Sequence, residues 1–170
     1  MRIRHSLLAA LLALAAASTA FAQTTYTTVM TGGNEVPPVA TPATGTATVV
    51  LDAAQTQLSI TCAFQNLLGT YSNSHIHGPA TPGVNAGVRW GFTGAPAGWV
   101  FSNANHDGTL TNFLVTSGIT ATDVANLNNG LTYVNLHSSL WPGGEIRGQL
   151  GLAPVPTAKT TWKRVKELYR

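Results

Sequence analysis

The sequence predicts an all-β protein, an antiparallel β-sandwich of Ig-like or Greek-key type with one short helix. Three observations carry that expectation. Short runs in which apolar and polar residues alternate recur from Gln23 to Leu150, the period of a strand with one buried face. Glycine and proline, 17 and 9 in number, fall between those runs often enough to end eight or so strands. No stretch sustains the 3.6-residue period of a long helix; only Thr122 to Leu127 has helical character, with Thr122 placed to cap it and Gly130 to close it.

The first 22 residues read as a signal peptide. Arg2 and Arg4 make a positive start, Leu7 to Ala17 is apolar, and Ala20-Phe21-Ala22 offers small residues where a signal peptidase reads, so cleavage is expected after Ala22. The apolar run is shorter than the ~18 residues a membrane span requires, so the mature chain is expected to be secreted or periplasmic and to carry no transmembrane anchor. Residues 23–152 then form one domain, and 153–170 a proline-containing linker and basic tail. The formal charge of +3 misleads about the domain. Between Gln23 and Pro156 the cations are Arg89 and Arg147, against Glu35, Asp52, Asp107, Asp123 and Glu145. A nucleic-acid surface needs a basic face on the folded domain, so that class is excluded.

Taken in order, QTTYTTVMT (Gln23 to Thr31) is a first strand stopped by Gly32-Gly33, and Pro37, Pro38 and Pro42 make an extended loop. TGTATVVL (Thr44 to Leu51) and QLSITCAF (Gln57 to Phe64) alternate cleanly across a short polar link, which predicts an antiparallel pair. Cys62 shares its strand face with Leu58, Ile60 and Phe64 and is the chain's single cysteine, so it is expected as a small buried hydrophobe. Tyr71 to His77 is a strand ended by Gly78-Pro79, and Gly87 to Phe92 puts Val88, Trp90 and Phe92 on one face. Trp99 to Phe101 is a short apolar piece, and Asn105 to Gly108 a turn into TLTNFLV. YVNLHSSLWPGGEIRGQL (Tyr133 to Leu150) is a hairpin: Pro142 fixes φ in the turn, Gly143 is expected at positive φ, and the returning arm has one oily and one charged face. In the tail, Trp162, Val165 and Leu168 form a stripe able to rest on an anionic membrane surface or a partner; its short length favours a solvated segment.

This hairpin, with SHIHGPA (Ser74 to Ala80) and GGNEVPP (Gly32 to Pro38), resembles the CHRD family, the chordin-type module found in secreted bacterial proteins. The resemblance covers Gly32 to Leu150. It implies an all-β binding or structural module without a general enzymatic activity, whose partner would be an extracellular protein or a small ligand.

The sharpest chemical feature is His75-Ile76-His77. Residues two apart on a strand share a face, so two imidazoles stand side by side, a presentation that suits copper or zinc. His137 is the best third ligand, His106 beside Asp107 another, and Glu35 a ligand or an orienting acceptor. The alternative is that these histidines fasten strand ends by hydrogen bonds. The H-x-H pair also resembles the copper ligands of Cu,Zn superoxide dismutases, but four histidines in the mature chain cannot fill both metal sites of that family, and Cys62 has no partner for its disulfide. Neither a G-x-S-x-G elbow nor a phosphate-binding glycine loop is present. Glu145 and Arg147, with Glu35, read as a structural ion-pair set, with Arg147 paired to Glu35 across the sheet.

Overall fold

The computed structural model describes residues 22–92 and 98–154. Of the predicted signal peptide only Ala22 is included, and the basic tail and most of the Gly94 to Gly98 loop lie outside the described residues. The strands are β1 (Thr24–Thr31), β2 (Thr44–Leu51), β3 (Leu58–Gln65), β4 (Tyr71–His77), β5 (Val88–Gly91), β6 (Trp99–Ser102), β7 (Asp107–Val115), β8 (Tyr133–Ser138), β9 (Ile146–Gln149) and β10 (Gly151–Leu152), with one helix, α1 (Ala121–Asn128).

All pairings are antiparallel and build one ten-stranded sheet in the order β5-β4-β8-β9-β1-β2-β3-β7-β6, with β10 on β1. The expected β2–β3 pair holds register from Thr44↔Gln65 to Leu51↔Leu58, and β8–β9 from Tyr133↔Gln149 to Leu136↔Ile146. Strand twist accumulates across so many strands until the sheet curls over itself. The curl brings Phe64 on β3 against Tyr71 on β4, ring centroids 5.5 Å apart. Near the two ends of the sheet, Trp99 Nε1 donates to the Phe92 carbonyl at 3.2 Å. The β-sandwich is therefore one continuous sheet folded over a single core, in which Val49, Ile60, Cys62, Ile76, Leu136 and Ile146 are buried together. Cys62 sits there as expected, and burial pushes its thiol up to about 12.

Three local expectations are corrected. The helix is capped by Thr120, not Thr122: Asp123 N–H donates to Thr120 Oγ1, and the Asp123 carboxylate accepts from the Thr120 N–H, because Thr120 is the last residue with extended backbone. Gly130 does close the helix, at φ +65, with Gly130 N–H on the Leu127 carbonyl and Leu131 N–H on that of Asn126. In the hairpin turn Gly144, not Gly143, takes the positive φ, +128, because the turn bonds Gly144 N–H to the Trp141 carbonyl and leaves Pro142 and Gly143 in the two middle positions. Val88 is exposed while Trp90 and Phe92 are buried, since the β4–β5 register slips between Ile76 and His77 and rotates Val88 out of line. The charged face of the last hairpin is covered as well as the oily one. Glu145 is 0% and Arg147 2% exposed.

Candidate functional site

The covered face of β4, β8 and β9 forms a polar layer. Register sets His77 opposite Tyr133, which is opposite Gln149; the next row runs His75, Asn135, Arg147. Two loops roof it. In the loop between β4 and β5, the Ala86 N–H donates to Tyr133 Oη at 3.1 Å, Asn85 Oδ1 and the Val84 carbonyl accept from Arg147 at 2.8 and 3.2 Å, and the Ala80 carbonyl accepts from Gln149 at 2.8 Å. In the loop after β1, Asn34 Nδ2 donates to the Arg147 carbonyl at 3.1 Å and Thr41 Oγ1 to Glu145 Oε1 at 2.7 Å. A cleft of about 370 Å³ lies between the loops, with Glu35 and Pro82 on its walls and Arg147 and Gln149 beneath.

Within this layer His75, His77 and His137 converge: one ring nitrogen from each lies within 4.8 Å of the other two. His77 Nδ1 donates to the Ala86 carbonyl at 2.9 Å and His137 Nδ1 to that of Pro142 at 2.9 Å, which leaves the Nε2 atom of each ring as an unprotonated acceptor. His75 Nδ1 lies 3.0 Å from His137 Nε2. The His77 Nε2 atom is buried without a hydrogen-bond partner. Tyr133 stacks on the His77 ring, centroids 4.9 Å apart and planes within 5°. Desolvation lowers the affinity of all three rings for protons, and for His75, where His137 and His77 add repulsion, the value falls to about 4. The rings are therefore neutral at physiological pH, the state in which imidazole binds metals.

The other predicted residues lie elsewhere. His106 Nδ1 donates to the Leu67 carbonyl at 2.5 Å and fastens the β3–β4 connection, outside the triad. Glu35 also stays out of the triad. Its Oε1 is buried beside Gly144 and Asn135 with no hydrogen-bond partner, and burial raises its carboxyl to about 7 against the opposing pull of Arg147. The expected Glu35–Arg147 ion pair is not formed: among the described residues the salt bridge is Arg89–Asp123, at 2.5 Å. Arg147 spends its donors on Asn85 and Val84 and lies 4.3 Å over the Tyr133 ring, because the roofing loop supplies neutral oxygens closer to hand. Glu145 joins no ion pair among the described residues either; its oxygens accept from the Leu68 and Gly69 N–H groups at 2.6 and 3.4 Å. Tyr133, Asn135 and the Ala86 carbonyl are the contributors that sequence reading missed. A signal was present: Tyr133 and Asn135 occupy the same strand face as His137, and a polar face on a strand of the hairpin needs a cover if it is buried.

The CHRD domain family model matches residues 26–150. The chain belongs to the CHRD domain family. No curated protein and no solved structure matches it. The match spans β1 to the end of the last hairpin, so the polar layer and both roofing loops lie inside the CHRD domain. No helix among the described residues is long and apolar enough to cross a membrane.

Proposed function

We propose that this CHRD domain is an exported binding module whose histidine triad holds one copper or zinc ion. The observation that carries this reading is the convergence of His75, His77 and His137 within 4.8 Å, with the Nδ1 atoms of His77 and His137 already tied to carbonyls and a buried His77 Nε2 that has no protein partner. Carbonyl-fixed tautomers are the usual support of metal-bound histidines. Ligand bonds of about 2.0–2.1 Å around one ion need nitrogens about 3.3 Å apart, close to the His75–His137 spacing of 3.0 Å. Export rests on the signal-peptide pattern of Arg2, Arg4, Leu7 to Ala17 and Ala20-Phe21-Ala22.

A second reading is favoured by the His75–His137 contact itself: the three rings act as fasteners inside a structural module and no ion enters. The two part on one experiment. Untagged chain beginning at Gln23 is loaded with Zn(II) or Cu(II), dialysed and its metal counted against the His75→Ala/His77→Ala variant, with circular dichroism confirming that both are folded. About one ion per chain, lost in the variant, is the expected result. A metal-free wild type leaves the fastener reading.

A further inference from the structure

The charge around the triad says more than its shape. All three ligands are neutral imidazoles, and the groups that fix His77 and His137 are the carbonyls of Ala86 and Pro142, which are neutral too. None of the three rings pairs with a carboxylate among the described residues. The nearby acids stay outside the ligand set: Glu145 accepts from Thr41, Leu68 and Gly69, and Glu35 lies against Gly144 and Asn135. A buried charge of the wrong sign stands close by. Arg147, 2% exposed, lies over the Tyr133 ring, and the same ring stacks on His77. The strand order puts Tyr133 between them, His77 coming from β4 and Arg147 from β9. A divalent ion here would place two positive charges in a desolvated layer that already holds a third, with no carboxylate among the described residues in its ligand set. A monovalent ion halves that burden. A d¹⁰ monovalent ion also accepts three ligands, and among the described residues there is no fourth.

We propose that the triad is a cuprous site, resting on the reading of His75, His77 and His137 as a metal centre. It holds Cu(I) as a three-coordinate monovalent ion, and takes a divalent ion only together with a small exogenous anion, such as hydroxide or azide, in the fourth position. No electron transfer is part of this assignment: the ion arrives reduced and stays reduced.

The test compares two affinities, each with and without azide, in a buffer of non-coordinating ions. Cu(I) is measured anaerobically by competition with a chromophoric cuprous chelator, and Zn(II) by calorimetry. Azide is expected to leave the Cu(I) dissociation constant within about twofold and to tighten Zn(II) by about tenfold or more. Arg147→Met, with the local cation removed, is expected to shrink the azide effect, and Arg147→Lys to keep it; the wild-type comparison stands even if neither variant folds. Zn(II) binding that ignores azide and equals or exceeds that of Cu(I) overturns the cuprous assignment while leaving the metal centre intact. Failure of both ions to bind, with or without azide, removes the centre and this assignment with it.

Discussion

Strands β2 and β8 show two ways of using one sheet. In β2, Ala47, Val49 and Leu51 are buried, while Thr44 and Thr46 on the other face meet solvent, so its sequence states its orientation. In β8 every residue is buried. Val134 and Leu136 enter the apolar core, and Tyr133, Asn135 and His137 enter a second, polar interior beneath the roofing loops. Alternation survives in both strands, but in β8 it separates two kinds of inside. Polar residues are kept under cover at a cost in desolvation only where hydrogen bonds or a ligand compensate, and that is where the triad lies.

The sharpest way to break the comparison is to disturb the strands whose two faces are both covered. β9 passes so close to β1 that a Cβ on Gly148 would meet Thr28 Oγ1 and the Val29 carbonyl, so Gly148→Ala is expected to cost about 3 kcal/mol or more in urea unfolding. Glu145→Ala strands the Leu68 and Gly69 N–H groups and should cost about 2–4 kcal/mol. On the open face of β2, Thr46→Ala should stay within about 0.5 kcal/mol. A tolerant Glu145→Ala would mean that the covered face is not held by its polar contacts.

Acid and base divide the polar interior further. The folded carboxyl of Glu35 lies near 7, above its unfolded value, so its contribution is full below about pH 4.5 and is lost as pH rises through 7. The folded His75 lies near 4, below its unfolded value, so its contribution is present above about pH 6.5 and is lost as pH falls toward 4. The two slopes oppose each other between those limits. Glu35→Gln should remove one of them, giving a metal-free chain about 1–3 kcal/mol more stable at pH 8 and one that loses stability steadily from pH 7 to 4. Chemical denaturation across that range reads both, and an unchanged profile would contradict the burial of Glu35.

A smaller effect than those in the polar interior sharpens the helix boundary. Thr120→Ala removes the cap of α1 and should cost about 1 kcal/mol, while Thr122→Ala should be close to neutral. The same helix carries the salt bridge. Arg89 holds the Asp123 carboxyl down to about 2, so this contribution is present above about pH 4 and fades as pH falls toward 2.

These contrasts also mark what the sequence could tell. The strands of β1, β2, β3 and β7 were legible because one face is wet, and the final hairpin because Pro142 and two glycines force a reversal. The pairing of His75 with His77 followed from strand geometry alone. The roof over them did not: nothing local in Val84-Asn85-Ala86 announces that three consecutive residues bind Arg147, Tyr133 and His77, since that depends on where a loop lands after the sheet has curled. Arg147 was misassigned to Glu35 for the same reason, opposite charge being visible in a sequence and a backbone carbonyl not.

The most direct test of the central claim is anomalous diffraction from crystals of the copper-loaded chain, recorded on both sides of the copper edge. One copper peak about 2.0–2.1 Å from a ring nitrogen of each of His75, His77 and His137 is the predicted result. A copper-free triad still joined by the His75–His137 hydrogen bond, with any metal bound elsewhere on the surface, would contradict it.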